Sequence, residues 1–281
     1  MSDTIIITGS TGFIGKSLIK LLHDSYNIIP CSREDCDLTK SEDFRQFVEQ
    51  QNVKSKNLYL IHCAAHNSFK EQNNMDDPNI IANNIKIHAA VINCKSLFNH
   101  IFMFGSGSES SRSQSIAVPE NIIIDPPRED NYGLSKWIIS NSIFNEIVYG
   151  GKITWLRLFG CFGPLERKER FFKNNINRAL QGLEIEVNSN SIVDFFSIYD
   201  VASVIEKCIK DNINPGIINM VYNKKRTLID LANIIRMNIL KCPGIHILKN
   251  SPTHYYGEYG CLENFNLLGL NESVKQMIYK A

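Results

Sequence analysis

The chain has almost no charge imbalance and no long hydrophobic run. Its 281 residues carry 30 Lys and Arg against 29 Asp and Glu, for a formal net charge of +1. Such a chain has no electrostatic basis for binding nucleic acid or an anionic membrane. Its apolar runs are far shorter than the ~18–20 residues that span a bilayer, and residues 1–4 carry no basic or apolar signal-peptide region. We therefore expect a cytoplasmic protein without a membrane or nucleic-acid partner.

The cysteines lack the spacing of a metal site or a disulfide framework. Eight are scattered along the chain without a C-x-x-C pair. Several, such as Cys63 and Cys161, lie in apolar segments. This usage is typical of a reduced, cytosolic chain with structural thiols. We expect neither disulfides nor a bound metal.

A glycine-rich turn near the amino terminus predicts a nucleotide site. The β-branched run 4–8 is typical of a buried parallel strand, and residues 16–23 follow with helical periodicity. The glycines between them permit a tight turn, close approach to a pyrophosphate and close packing of helix on strand. The cofactor-binding candidates here are Gly9, Thr11, Gly12, Phe13, Ile14 and Gly15. The alternative is a turn with a purely structural role.

The residues after the second strand bear on the choice of dinucleotide. The strand is predicted at 27–31, and Arg33 just beyond it suits the 2′-phosphate of NADP(H). The acidic pair 34–35 follows at once and suits the free ribose hydroxyl of NAD(H). We favour NADP(H) over NAD(H) because of Arg33. The cofactor-binding candidates of this segment are Ser32, Arg33, Asp37 and Leu38, the last two resembling an adenine-edge contact.

Small residues end the third predicted strand, at 59–65. They are Cys63, Ala64 and Ala65, and they would let a cofactor pass close by. His62, next to them, is expected to be a packing residue rather than a catalyst. Asn84 lies early in a helix predicted at 78–96. If buried it must find partners, such as a backbone carbonyl or a water near the site; the alternative is exposure.

A tyrosine and a lysine four residues apart are the main catalytic candidates. Tyr132 and Lys136 would share one face of a helix running to about residue 149. A nearby ammonium favours the phenolate, so we expect Lys136 to lower the pKa of Tyr132 from its usual ~10. Ser106 follows a strand predicted at 100–104, at the sheet edge where open parallel sheets bind ligands. When Ser106 is considered alone, the favoured interpretation is an ordinary serine in a turn.

The second half of the chain supplies candidates for anion binding. Residues 110–131 are polar and contain prolines, which predicts a loop that closes over substrate. Residues 165–182 have the pattern of a basic amphipathic helix. Its Arg170 and Arg178 either contact a diphosphate or belong to a solvated face.

These segments predict an α/β fold with a Rossmann-type doubly wound parallel sheet. Residues 1–164 would form the NAD(P)-binding domain, and helix 200–210 and strand 217–221 would return to it. Residues 165–281 would mainly form a smaller substrate-binding lobe.

With these segments placed, the chain resembles the extended short-chain dehydrogenase/reductase family, specifically its nucleotide-sugar epimerases, dehydratases and 4-keto-sugar reductases. The motifs, in family order, are Thr8-Gly9-x-x-Gly12-Phe13-Ile14-Gly15, Cys63-Ala64-Ala65, Asn84, Gly105-Ser106, Tyr132-x-x-x-Lys136, Leu156-Arg157 with Gly163-Pro164, and Asp194-Phe195 with Asp200-Val201-Ala202. The resemblance implies that Tyr132 exchanges a proton with the reacting carbonyl, Lys136 binds the nicotinamide ribose, and Ser106 hydrogen-bonds the substrate oxygen. It also implies a nucleoside-diphosphate sugar as substrate and a homodimer through residues 82–98 and 134–149.

Two departures from the family's motifs near Ser106 narrow the range of reactions that we expect. Ser106-Gly107-Ser108 replaces the Thr-Asp-Glu of the 4,6-dehydratases, which argues against a dehydratase. Ser108 stands where the branch similar to GDP-fucose synthase has a cysteine, and no histidine lies between His100 and His246 to act with it. This argues against carbon epimerisation by an acid–base pair. Ser108 remains the rival of Ser106 as the substrate-binding serine.

Two further departures concern the nucleotide. Gly160 replaces the family's asparagine before Tyr-Gly-Pro, and Val193 replaces its arginine before Asp-Phe. The diphosphate contacts are therefore expected elsewhere, at Arg170, Arg178 or Arg226.

We predict NADPH-dependent reduction of a 4-keto-deoxy sugar on a nucleoside diphosphate, with Tyr132 as the general acid. The alternative is an NAD-dependent nucleotide-sugar 4-epimerase that uses the same residues. A third hypothesis is a non-catalytic dinucleotide-binding protein. Such a protein would be expected to lose the tyrosine or the lysine, whereas this chain keeps both.

Overall fold

The structure is a computed structural model. It describes residues 2–66, 79–111, 117–120, 124–127, 130–149, 151–240, 242–249 and 251–280. The loop that we predict to close over substrate, residues 110–131, lies partly outside these ranges.

Strands and helices alternate along most of the described chain. The strands are β1 (Thr4–Thr8), β2 (Asn27–Cys31), β3 (Leu58–His62), β4 (His100–Ser106), β5 (Ile153–Leu158), β6 (Cys161–Phe162), β7 (Ile185–Val187), β8 (Phe196–Ser197), β9 (Ile217–Met220) and β10 (Ile245–Ile247). The α-helices are α1 (Phe13–Leu22), α2 (Ser41–Gln50), α3 (Asn79–Asn93), α4 (Asn131–Val148), α5 (Phe171–Leu180), α6 (Ile198–Asp211), α7 (Leu228–Met237) and α8 (Leu270–Tyr279).

The central sheet has six strands in the order β2-β1-β3-β4-β5-β9. Every neighbouring pair is parallel. The chain starts at β1, the second strand from one edge, and places β2 at that edge. From β3 onward it crosses to the other side of β1. This reversal leaves a crevice at the carboxyl ends of β1 and β3, where open α/β sheets bind their ligands. The predicted Rossmann-type α/β fold is confirmed.

Alternation along the strands divides the core between the two faces of the sheet. Ile5 and Ile7 of β1 belong to an apolar cluster with α1 and α6. Ile6, between them, belongs to a second cluster with α2, α3 and α4. Successive side chains of a strand point to opposite faces, so a strand buried on both faces is apolar throughout. Hence the continuous run in β1 predicts this layered arrangement.

A third apolar cluster lies outside the sheet. It joins α5, β7, α7 and α8 through buried residues such as Phe172, Ile235 and Val274. The side chain of Thr227 begins α7 by accepting from the backbone N–H of Asp230. This cluster forms a separate layer within the predicted substrate lobe, whose boundary at residue 164 stays a prediction.

Two observations concern the cysteines and the helices. All eight cysteines are free thiols. Within the described ranges, no helix is both long and apolar enough to cross a bilayer.

Candidate active site

The glycine turn after β1 has the geometry of a pyrophosphate cradle. Gly9 has a φ of +64°, and a Cβ added there would lie 2.8 Å from the backbone nitrogen of Ala64. A Cβ on Gly15 would lie 2.4 Å from the carbonyl oxygen of Gly9. Helix α1 starts without a side-chain cap and without an acidic residue in its first turn. Its first backbone N–H groups can therefore bind an anion, and the residues here fit a dinucleotide.

In the segment after β2, two acidic residues accept hydrogen bonds from neighbouring residues. The Asp35 carboxylate accepts from the backbone N–H and the hydroxyl of Ser32, at 2.8 and 2.6 Å. Asp37 accepts from the backbone N–H and the hydroxyl of Thr39, at 3.0 and 2.8 Å. These hydrogen bonds hold the pKa of both carboxyls below its usual value. Arg33 stays exposed at the tip of the turn.

Asn84 connects the segment after β3 to helix α4 through hydrogen bonds. It is buried, and its amide accepts from the backbone N–H of His66 at 2.7 Å and donates to the carbonyl of the same residue at 3.1 Å. The amide also donates to the Ser135 hydroxyl at 2.9 Å, and that hydroxyl donates to the Tyr132 carbonyl at 2.7 Å. Asn84 thus holds a backbone carbonyl beside the site, the first of the two roles weighed from the sequence.

Helix α4 places Tyr132 and Lys136 one turn apart. The side chain of Asp130 caps the helix by accepting from the backbone N–H of Gly133. Lys136 is buried, and its ammonium donates to the Phe104 carbonyl at 2.7 Å and lies 5.9 Å from the centre of the Tyr132 ring. Burial lowers the pKa of Lys136 to about 8, an effect that the nearby Glu109 opposes.

The expected lowering of the Tyr132 pKa is wrong. Burial raises the pKa of Tyr132, with smaller contributions from Tyr255, Glu109 and Asp130. The Lys136 ammonium is directed to a carbonyl of β4, so desolvation of the phenol dominates. The raised pKa keeps the phenol of Tyr132 protonated at neutral pH.

A buried ion pair between Glu109 and Arg157 supports the turn that contains Ser106 and Ser108, called the serine turn below. The Ser106 hydroxyl accepts from the backbone N–H of Ser108 at 3.1 Å, and Glu109 accepts from the backbone N–H of Ser106 at 2.7 Å. Glu109 also accepts from the Trp155 indole at 2.9 Å and the Arg157 guanidinium at 3.1 Å. Glu109 and Arg157 are 0% and 1% exposed, so each needs the other. Sequence reasoning missed Glu109, although an arginine within an apolar strand requires a buried acceptor.

The structure also brings an unforeseen tyrosine to the serine turn. The Tyr255 hydroxyl lies 3.3 Å from the Ser108 hydroxyl, 147 residues away in sequence. No motif marks Tyr255.

The histidine next to the cofactor turn has a packing role, as predicted. His62 is buried, and its Nδ1 lies 2.8 Å from the Thr8 hydroxyl. Burial lowers the pKa of His62 to about 3, so the imidazole is neutral. No group of His, Cys, Asp and Glu in the described parts of the chain could hold a metal ion.

Two of the three candidate arginines differ in their surroundings. Arg178 is bound within the lobe, donating to the Glu184 carbonyl at 2.8 Å and pairing with Glu186 at 2.8 Å. Two of its donors thus bind groups within the lobe, and a diphosphate contact by Arg178 stays a prediction. Arg170 precedes α5 and is partly exposed beside the buried Glu166, whose pKa burial raises to about 7.

The sheet, its glycine turn and the tyrosine–lysine pair define a short-chain dehydrogenase/reductase type of oxidoreductase that uses a nicotinamide dinucleotide. The chain belongs to the NAD dependent epimerase/dehydratase family, whose sequence model matches residues 5–220.

Solved structures share this fold over nearly the whole chain. The dTDP-4-dehydrorhamnose reductase of Bacillus anthracis, in complex with NADP, is 19% identical with a TM-score of 0.77, covering 100% of this chain and 99% of that one. The GDP-mannoheptose C4 reductase of Campylobacter jejuni, with NADP bound, is 16% identical with a TM-score of 0.77 over 100% and 99% of the two chains. The UDP-glucose 4-epimerase of Thermus thermophilus, in complex with NAD, is 16% identical with a TM-score of 0.75 over 99% and 98%. Identities this low establish the shared fold alone.

Proposed function

We propose that the protein reduces a 4-keto-deoxy sugar, attached to a nucleoside diphosphate, with NADPH. The observation that carries this proposal is the buried, protonated phenol of Tyr132 beside the Lys136 ammonium, at the sheet edge where the dinucleotide turn lies. A phenol held in its acid form suits protonation of an oxygen that gains negative charge.

The residues have complementary roles in this reaction. Bound NADPH supplies the hydride for the keto carbon. Tyr132 donates its proton to the keto oxygen, which becomes the new hydroxyl, and the resulting phenolate is stabilised by the Lys136 ammonium. Ser106 or Ser108 donates a hydrogen bond to the same oxygen. Asn84 keeps the first turn of α4 in register by its bond to Ser135.

The preference for NADPH is argued from the turn after β2. The Asp35 carboxylate is occupied by Ser32, whereas the Arg33 guanidinium is exposed. A free guanidinium suits a 2′-phosphate, and an occupied carboxylate is a poor acceptor for a ribose hydroxyl. The two reductases compared above were solved with NADP.

A 4-epimerase is the second candidate. The same tyrosine, lysine and serine can oxidise one carbon and reduce it again with a retained dinucleotide. The exposed Glu34 next to Arg33 favours it, because a free carboxylate there suits NAD.

The test starts with purified protein. Its absorbance and fluorescence as isolated, followed by titration with NADPH and NADH, separate the two candidates. Loose binding with NADPH preferred supports the reductase, and NAD that survives gel filtration supports the epimerase. Binding of neither would contradict both. Turnover is then followed as loss of NADPH absorbance with dTDP- and GDP-linked 4-keto-6-deoxyhexoses.

Tyr132→Phe is expected to lower kcat by at least about 100-fold, because the general acid is lost. The dissociation constant for NADPH should stay within about twofold of the parent protein, since only one hydroxyl changes. Tyr149→Phe is the matched control, because Tyr149 is exposed just past the end of the same helix. An active Tyr132→Phe protein would remove Tyr132 as the acid.

A further inference from the structure

Backbone hydrogen bonds hold the segment around Tyr255 beside the candidate active site. Its N–H donates to the Ile192 carbonyl at 2.8 Å, and its carbonyl accepts from the N–H of Asp194 at 3.0 Å. The backbone N–H of Gly257 donates to the Asp194 carboxylate at 2.9 Å, and Lys225 pairs with the same carboxylate at 2.7 Å. Bonds on both sides of Tyr255 thus fix the position from which its side chain projects.

The Tyr255 side chain projects onto the serine turn. Its ring packs against Phe159 with 5.1 Å between centres, and its hydroxyl lies 3.3 Å from that of Ser108. A Cβ on Gly107 would lie 2.8 Å from the Tyr255 hydroxyl, and one on Gly257 would lie 2.7 Å from the Phe159 ring. The absence of side chains at both glycines leaves the space that these two rings occupy.

The serine turn lies against the start of α4, the helix that carries Tyr132. An added Cβ on Gly133, the residue after Tyr132, would lie 2.3 Å from the Ser108 carbonyl oxygen, so the serine turn touches the start of α4. After burial, Tyr255 is the largest cause of the raised pKa of Tyr132, so the two phenols lie within electrostatic reach of each other.

We infer that Tyr255, together with Ser108, binds a hydroxyl group of the sugar next to the reacting carbonyl, and so positions the sugar for Tyr132. The inference rests on the proposed function. Hydroxyl groups both donate and accept, so the pair matches a polyol. Tyr255 is a specificity-determining residue for the sugar, and it has no part in binding the nucleotide.

The experiment is a titration of NADP-saturated protein with two kinds of probe. The first kind are dTDP- and GDP-linked 4-keto-6-deoxyhexoses, and the second are the parent diphosphates dTDP and GDP. Tyr255→Phe is expected to weaken binding of the preferred nucleotide sugar by about 3- to 10-fold, as for one lost hydrogen bond between neutral groups. Binding of the parent diphosphate should not change. NADP is not consumed with these substrates, so no turnover is required.

Two further variants make the test specific. Tyr256→Phe is the matched control, because Tyr256 is the next residue along the chain and its ring packs against His254, and it should leave both affinities unchanged. Ser108→Ala should weaken the sugar in the same way. Combined with Tyr255→Phe it should cost less than the sum of the single changes, because both hydroxyls bind one group.

Equal loss of sugar and diphosphate affinity, or loss of neither, would overturn the inference. So would a failure of every nucleotide sugar to bind more tightly than its diphosphate. Failure of the proposed function is a different result: the nucleotide sugar binds and Tyr255→Phe weakens it, but NADPH is not consumed when it replaces NADP.

Discussion

Lys136 combines a proposed catalytic role with a cost to the stability of the fold. Its ammonium is buried, with a hydrogen bond to the Phe104 carbonyl, and burial lowers its pKa from 10.5 to about 8. An amine with a lowered pKa in the folded state binds fewer protons there than in the unfolded chain. The cost of burying the charge is therefore fully present below pH 8, and it is relieved as the pH rises from 8 to 10.5.

Lys136→Met is accordingly expected to stabilise the cofactor-free protein at pH 7, by up to about 3 kcal/mol, while abolishing turnover. The gain should shrink steadily between pH 8 and 10.5, the range set by the two pKa values. Urea unfolding at a series of pH values measures it. The exposed Lys20→Met should stay within about 0.5 kcal/mol of the parent throughout. A Lys136→Met protein that is less stable at pH 7 would refute the account.

Arg33→Ala addresses the choice of dinucleotide. If the guanidinium binds the 2′-phosphate, the dissociation constant for NADPH should rise roughly 10- to 100-fold, as for a charged hydrogen bond of about 1.5–3 kcal/mol. The constant for NADH should hardly change. Fluorescence titration gives both values, and raised salt should weaken NADPH more than NADH. Equal losses for the two dinucleotides would overturn the assignment.

At the scale of elements, Gly12 at the N-cap of α1 and Gly15 in the first turn of α1 have different surroundings. A Cβ on Gly15 would lie 2.4 Å from a backbone oxygen, whereas the nearest atom to a Cβ on Gly12 is 3.3 Å away. Gly15 is needed for the packing of α1 on the turn, and Gly12 is free to face a ligand.

Gly15→Ala is therefore expected to cost about 1–3 kcal/mol of stability, because the backbone must shift, and to weaken dinucleotide binding as a consequence. Gly12→Ala should keep its stability within about 1 kcal/mol but bind dinucleotide at least about tenfold more weakly, since its methyl group occupies the approach of the pyrophosphate. Thermal unfolding and NADPH titration separate the two effects. Loss of stability in Gly12→Ala would contradict this division of roles.

Elements were predictable from the sequence where local pattern and tertiary packing agree. The strands at Thr4–Thr8 and Asn27–Cys31 have the predicted bounds. The helix predicted at 165–182 is shorter, Phe171–Leu180. Its first residues form separate turns after Pro164, and the buried Glu166 carboxylate accepts from the backbone N–H of Lys173 near the true start of the helix. A charge pattern alone does not reveal where a tertiary contact begins a helix.

At the scale of the whole molecule, the sequence predicted those parts of the candidate site whose residues lie close together along the chain. Tyr132 and Lys136 share one helix, and the glycine turn is one continuous stretch. Tyr255 reaches Ser108 only because the chain folds back along residues 192–194. Glu109 has a role only because β5 brings Arg157 beneath it. Neither contact leaves a periodicity or a motif, so one sequence could not predict them.

Asp200 is where the sheet and the last helix meet. Its buried carboxyl accepts from the Tyr222 hydroxyl just after β9, and from the backbone N–H groups of Leu268 and Gly269, at 2.6 and 3.1 Å, just before α8. Asp200 itself lies in the first turn of α6, which packs on α1. One side chain thus joins a helix of the sheet layer to the entrance of the lobe's last helix.

Asp200→Ala leaves three partly buried donors without their acceptor and should lower the free energy of unfolding by roughly 3–5 kcal/mol. Asp211→Ala, at the exposed end of the same helix, removes only a surface pair with Lys207 and should cost about 0.5 kcal/mol or less. Urea unfolding followed by tryptophan fluorescence and by circular dichroism measures both. If the carboxyl couples the two layers, the parent protein gives coincident transitions, whereas in Asp200→Ala the helical signal falls before the fluorescence of Trp137 in α4 and Trp155 in β5. Coincident transitions with an unchanged midpoint in Asp200→Ala would show that the layers are joined elsewhere.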